Sequence, residues 1–164
     1  MEAVLSLQHI FRVARAVAVD TVRGIECAIV YIVEEDDAKI VAETWRGAFG
    51  DFVPSLAIVV VDGLPRGARV EWHVIRCQKS GEEEEEKEVK SRMAFEQHEV
   101  IAAVNEFQGD HGVLCMIYGS SQHHEALKSR YQNLAIQTIP SRAVYSLSSN
   151  NLTRHISCTI ILAD

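Results

Sequence analysis

The stretch that most limits how this chain folds is Lys79-Ser80-Gly81, followed by five consecutive glutamates at 82–86 and then by Lys87, Glu88, Val89 and Lys90. Like charges at that density repel one another and offer nothing apolar to bury, so no single hydrophobic core runs through this point. A solvated linker is expected over 78–92, with an acidic docking segment as the alternative reading. The 164 residues then divide into blocks at 1–77 and 93–164. A chain of this length holds one compact core, or two half-cores that share an interface. The apolar fraction of 48% against 24% charged residues is enough for real cores and excludes a wholly disordered chain.

Sixteen basic against twenty-three acidic residues give a net charge of −7. A surface of that sign lacks the footprint that binds phosphate backbones or anionic membranes, so neither nucleic acid nor membrane is an expected partner. Cys27, Cys77, Cys115 and Cys158 form no CxxC pair and no zinc-type spacing. They read as small buried apolar residues in a reducing compartment. The apolar N-terminal stretch is interrupted by Arg12 and Arg15 and is followed by no cleavage-site pattern, which favours the cytoplasm over secretion or anchoring.

Leu7, Ile10, Ala14 and Val17 recur at helical spacing and leave Arg12 and Arg15 facing water. Residues 27–33 (CAIVYIV) form a short β-branched run without polar interruption, the signature of a strand buried on both faces. Ala38, Val41, Trp45 and Ala48 return to helical spacing. A second apolar run at 56–61 is followed by Asp62-Gly63-Leu64-Pro65-Arg66-Gly67, which carries turn chemistry, and then by Val70, Trp72 and Val74 in strand alternation. The first block therefore reads helix, strand, helix, hairpin of two strands. The second block repeats that order: Val100, Ile101, Val104 and Phe107; a buried run at 113–118; Leu127, Tyr131 and Leu134; a strand at 143–147; a polar turn at 148–151; and a final strand from His155 to Leu162. Sliding the chain by 86 residues lays Pro54 on Pro140, Trp45 on Tyr131, Tyr31 on Ile117 and Val70 on Ile156, which suggests an internal repeat.

Residues 54–75, PSLAIVVVDGLPRGARVEWHVI, resemble the C-terminal signature of the reactive intermediate deaminase family (RidA/YjgF type): a proline, a β-run, a Leu-Pro turn and an alternating V-E-I-x-x-I strand. The resemblance covers about 6–77, with an echo over 94–164. It implies an α+β fold of the chorismate mutase-like kind, in two degenerate repeats, each a small mixed sheet with two helices packed on one face. Tandem domains with the turn written Leu-Pro-Arg-Gly-Ala are most similar to the C-terminal half of long eukaryotic diphthine–ammonia ligases. That similarity implies an ATP-binding ligase domain upstream, acting on the diphthine of elongation factor 2 with ATP and ammonium. No S-G-G-K-D-S loop and no Walker A pattern occurs here, so no cofactor is expected in this chain, and ATP belongs to the ligase domain. The chain is then expected to be the tail of a longer protein, a truncated product or gene model. The implied partners are the ligase domain of the same polypeptide, elongation factor 2 through it, and further copies in a homo-oligomer.

In active deaminases an arginine two residues after the proline holds the substrate carboxylate with its planar fork, and a glutamate on the next strand positions the attacking water. Here the first repeat has Leu56 at the arginine position but keeps Glu71; the second keeps Arg142 but has Ser157 at the glutamate position. Neither repeat holds the full pair. A composite catalytic site of Glu71 and Arg142 is one reading; a solvent-facing glutamate and a surface or interface salt-bridge arginine is the other. Both repeats also lack most of the family's N-terminal β-hairpin, with the acidic linker in its place before the second. The alternatives to a ligase tail are a stand-alone imine or enamine deaminase and a non-catalytic binding or assembly module.

Other patterns carry less. His123 and His124 are adjacent on a helix, about 100° apart, and read as a solvated face rather than a metal pair. Ser120 and Ser121 suggest a helix N-cap, Asn151-Leu152-Thr153 a surface turn, and Trp45 and Trp72 core packing.

Overall fold

The computed structural model describes residues 2–16, 24–76, 90–107, 113–131, 134–148 and 151–163. The chain runs through α1 (Glu2–Ala16), β1 (Ile25–Ile32), α2 (Asp37–Phe49), β2 (Ser55–Val60), β3 (Val70–Arg76), β4 (Lys90–Ala94), α3 (Gln97–Glu106), β5 (Val113–Gly119), α4 (Gln122–Arg130), β6 (Ala135–Ile139), β7 (Ala143–Ser148), β8 (Asn151–His155) and β9 (Ser157–Ala163). It is α+β, with two mixed sheets ordered β3-β1-β2-β7-β8 and β4-β9-β5-β6. The expected linker lies outside the described residues except at its end, where Lys90, Ser91 and Arg92 open β4. No helix among the described residues is long and apolar enough to cross a membrane.

The first compact unit joins Met1–Arg76 to Ser141–Arg154. Its centre is the parallel pair β1–β2, registered from Cys27↔Ser55 to Ile32↔Val60. The α2 crossover returns the chain to the start of the sheet, as a parallel pairing requires. β3 then lies antiparallel on the other edge of β1. The expected hairpin of residues 56–61 with 70–74 therefore does not form: β1 is apolar at nearly every position and takes a partner on each edge, which separates β2 from β3. Along one face, Ala28, Val30, Ile32, Leu56, Ile58, Val60, Val70 and Trp72 meet Leu7 of α1 and Val41, Ala42, Trp45 and Phe49 of α2. Trp45 is fully buried, stacks on Trp72 at 5.4 Å, and donates its indole N–H to the Pro54 carbonyl at 2.9 Å. Phe49, rather than the expected Ala48, completes the buried stripe of α2, and Ala48 is exposed.

The second unit joins Cys77–Pro140 to His155–Asp164. β5 and β6 are parallel, and β9 lies antiparallel between β4 and β5. Val100, Ala103, Val104 and Phe107 of α3 and Leu127 of α4 cover Cys115, Ile117, Ile161 and Ala163. α3 opens with a capping box between Glu96 and Glu99, and the Glu99 carboxylate accepts the amides of Phe95 and Glu96 at 3.0 Å each. Those bonds hold the Glu99 carboxyl below its ordinary pKa.

The strands do not follow the boundary expected from the sequence. Residues 143–147 form a strand as expected, but that strand pairs antiparallel with β2, from Leu56↔Leu147 to Val60↔Ala143. Asn151-Leu152-Thr153 is strand β8 rather than a surface turn, and Ile156 separates it from β9. The strand parallel to β5 is β6, which ends before Pro140, so Pro140 is not the counterpart of Pro54. The slide is also one residue short. Tyr31 pairs with Glu71, whereas Tyr118, and not Ile117, occupies the face away from the helices and pairs with Cys158.

Two substitutions test this packing. Trp45→Ala removes a buried ring and should destabilise the first unit by about 3–5 kcal/mol in urea unfolding followed through Trp72 fluorescence. Gly119 has φ +94°, and a Cβ there would meet the Ile156 carbonyl oxygen at 2.4 Å. Gly119→Ala should therefore cost the second unit on the order of 1–3 kcal/mol, read by circular dichroism, with little change in tryptophan emission.

Candidate functional site

Parallel strands end on the same side of a sheet, so the loops after β1 and β2 come together at one end of the first unit. The loop after β1 is Val33-Glu34-Glu35-Asp36, whose carbonyls at Glu34 and Glu35 accept the amides of Asp37 and Ala38 at 3.0 Å and start α2. The loop after β2 runs through Asp62-Gly63-Leu64 to the turn Pro65-Arg66-Gly67. Arg66 takes φ 59° and Gly67 φ 70°, both left-handed. Between the two loops lies an open cavity of about 470 Å³, lined by Val33, Glu34, Gly63, Leu64, Gly67, Ala68 and Arg69.

The segment before β7 ties these loops down. The Arg142 amide donates to the Val60 carbonyl at 2.7 Å. Its guanidinium donates to the Val33 carbonyl and, at 3.0 Å, to that of Val61, and it stands 3.3 Å from the Asp62 carboxylate. The Asp62 side chain is 92% exposed, so that ion pair contributes little; the main-chain carbonyls fix the arginine. Tyr145 donates its hydroxyl to Glu35, and Arg154 lies 3.7 Å from the same carboxylate. Burial, followed by that bond to an anion, raises the Tyr145 hydroxyl above its ordinary pKa. At the cavity edge Arg69 bonds Asp37 at 2.8 Å, and its amide donates to Glu2 at 2.9 Å.

Glu71 and Arg142 belong to the same unit, but no hydrogen bond or ion pair joins them. Glu71 is exposed on the edge strand β3, opposite Tyr31. β1 and β2 separate it from β7, so the two backbones stand three strand spacings apart, roughly 14 Å. Leu56 is fully buried against the helices. Ser157 is also buried and donates to the Ser120 carbonyl at 3.0 Å. Tyr145, Glu35, Arg154 and Asp62 were not singled out from the sequence; the signal available was the acidic run at 34–37 beginning just where a buried strand ends.

His123 overturns its sequence reading. It is 4% exposed, and its Nδ1 is hydrogen-bonded to the Thr159 hydroxyl at 2.8 Å beneath α4. The reason is helix phase: His123 shares the buried face with Leu127, and a neutral imidazole with a hydroxyl partner is tolerated there. His124 lies at the margin, bonded to Thr138 at 3.0 Å. Among the described residues no cluster of three or more His, Cys, Asp or Glu is placed to hold a metal ion. Ser121 makes no side-chain cap bond, although the Ser120 hydroxyl accepts the Gln122 amide at 3.3 Å. Cys27, Cys115 and Cys158 are buried, and burial pushes the Cys115 thiol up to about 11, which makes it a poor nucleophile.

The architecture is that of a protein with two α+β units, one of which presents a ligand-sized cavity at its strand ends. No protein-family model matches the chain. Over 77 residues it is 39% identical to the diphthine–ammonia ligase of Schizosaccharomyces pombe, a match covering 45% of this chain and 12% of that protein. The relationship is distant and partial, and the matched region is a small part of the relative's length.

Burial of His123 lowers its pKa below the ordinary imidazole value, an effect only partly opposed by Glu96 and Glu99. Below about pH 6.5 the unfolded chain therefore binds a proton that the folded unit refuses, so stability rises with pH and is complete above that value. The melting temperature of the second unit should fall as pH drops from about 6.5 toward the folded pKa. The pH slope should shrink in His123→Gln, measured by thermal circular dichroism across pH 4.5–8.

Proposed function

We propose that this chain is a non-catalytic C-terminal part of a diphthine–ammonia ligase-like protein, built of two degenerate deaminase-like repeats. It serves assembly or ammonia handling beside an ATP-binding ligase domain of the same polypeptide. The 39% identity over 77 residues to a diphthine–ammonia ligase carries this reading. In it, elongation factor 2 is reached through the ligase domain, in the cytoplasm, and ATP is bound there rather than here.

The use of Arg142 supports a non-catalytic role. Both main-chain carbonyls are bonded by Nη2, the atom shared by the two bidentate edges of the guanidinium, so Arg142 has no free fork to hold a substrate carboxylate. Glu71 is exposed on an edge strand, with β1 and β2 between it and Arg142.

Two measurements check the reading. A denaturing immunoblot of native lysate against the peptide ending at Asp164 should show a band several times heavier than 18.3 kDa. A band at the size of this chain alone would sink the ligase-tail assignment. Purified chain and Glu71→Ala should both leave 2-aminoacrylate hydrolysis at the buffer rate; an enhancement lost in Glu71→Ala would instead establish the deaminase.

A further inference from the structure

The cavity at the strand ends of the first unit carries one charged side chain of each sign on its walls, Glu34 and Arg69. The neighbouring acids are already engaged: Glu35 with Tyr145 and Arg154, Asp37 with Arg69, and Asp62 with Arg142. Glu34, by contrast, has no side-chain hydrogen bond or ion pair among the described residues. Arg69 is only half used. It gives one Nη2 hydrogen to Asp37 at 2.8 Å, and since Nη2 turns one hydrogen to each edge of the guanidinium, a two-donor edge stays open. Arg142, which spends Nη2 on two carbonyls, keeps no such edge.

Backbone geometry brings the two groups together. The Val33 amide donates to the Arg69 carbonyl at 3.2 Å, so Glu34 and Arg69 stand one residue out of step across bonded main chains. The chain reaches Arg69 through a tight turn closed by the Ala68 amide on the Pro65 carbonyl at 3.2 Å. In that turn Arg66 takes φ 59° and ψ 22°, a left-handed conformation that costs a residue with a Cβ and marks a place where the surroundings dictate the backbone. Both loops are also held from outside the cavity, by Arg142 on the carbonyls of Val33 and Val61 and by Glu2 on the Arg69 amide. Loops fixed in advance lose little freedom when a ligand arrives. The volume of about 470 Å³ falls in the range of small-molecule sites, and Val33, Leu64 and Ala68 add apolar wall.

We infer that this cavity binds a free α-amino acid with an aliphatic side chain, its carboxylate on the open edge of Arg69, its ammonium on Glu34 and its side chain against Val33, Leu64 and Ala68. An α-amino acid joins its two charges through a single carbon, which suits wall groups one residue apart. An inorganic anion would satisfy Arg69 and face Glu34 as a like charge; a simple amine would do the reverse. The site is separate from Glu71 and stands whether or not a ligase domain accompanies the chain. Both wall charges are exposed to water, so the dissociation constant is expected on the order of 1 mM.

The test is a titration of the full chain with L-leucine at neutral pH, followed through backbone amide resonances. Saturable shifts are expected at Val33, Glu34 and Gly67 to Arg69. L-Leucinamide, which lacks the carboxylate, and N-acetyl-L-leucine, which lacks the ammonium, should each bind roughly tenfold more weakly. Glu34→Gln should weaken leucine by a similar factor while N-acetyl-L-leucine binds no more weakly than before. Arg69→Lys keeps the charge but loses the planar fork, and should weaken leucine while leucinamide binds no more weakly than before. A disturbance of the loops alone would weaken every ligand alike in both variants, and that result overturns the proposal. So does equal binding of the three ligands to the unaltered chain, or the absence of a saturable shift at these residues up to about 20 mM leucine. Should a variant fail to fold, the three-ligand series on the unaltered chain decides by itself.

Discussion

β2 must be flanked on both edges, and the organisation of the chain follows from that requirement. Its residues from Leu56 to Val60 are fully buried, and a strand apolar on both faces can leave no main-chain edge unpaired in such surroundings. β1 satisfies one edge, because α2 returns the chain to lie parallel to it. The turn after β2 cannot bring the next strand back to the other edge, since β3 is drawn to the open side of β1. The missing partner arrives only at Ala143, after most of the second sheet has been laid down. With it come the side chains that pin the loops at the sheet's end, so completion of the core and shaping of the cavity are one event.

The second unit solves the same problem with less apolar material. Trp72 faces α2 in the first unit; its counterpart across the sheet from α4 is Thr159, since Val30↔Trp72 and Ile117↔Thr159 are matching helix-facing pairs. An aromatic stack of Trp45, Phe49 and Trp72 in one unit is replaced by the His123–Thr159 hydrogen bond and Leu127 in the other. At about 25 cal/mol per Å² of apolar surface, losing two large rings removes several kcal/mol of burial, and the hydrogen bond returns only about 1 kcal/mol. α4 is also shorter than α2, and β6 is mostly exposed where β2 is buried. Among the described residues the second unit therefore buries less aromatic surface beneath its helices, and it also contains the buried imidazole of His123.

Local structure was legible in the sequence where periodicity alone decides it. The strands within 27–33 and 113–118, Leu7 of α1, Val41 and Trp45 of α2, Val100 and Val104 of α3, and the core position of Trp72 follow from the spacing of apolar residues, while Val17 lies outside the described residues. Pairing was not legible, because AVYSL pairs equally well with either sheet until the geometry of both is known. The internal comparison failed for the same reason. An ungapped slide cannot represent a short α4 followed by an inserted hairpin, so it set Pro140 on Pro54 and moved the glutamate position by one residue, which reverses the face of a strand. His123 was misjudged because a histidine beside a histidine looks polar in sequence, while the helix phase set by Leu127 places one of the two inward.

The same geometry limits what chemistry the cavity can do. An arginine is a carboxylate receptor only when its planar fork is free; each charge-assisted bond already made to a carbonyl is worth on the order of 1.5–3 kcal/mol and would have to be given up to bind a substrate. Arg142 makes two such bonds, and the loops it holds would lose their anchor if it turned away. The groups that face the cavity are instead Glu34 and Arg69, one of each sign, and Arg69 also bonds Asp37 at the start of α2. Such a pair can orient a small polar or zwitterionic group. An open cavity with one charge of each sign at its strand ends is what this geometry offers a ligand.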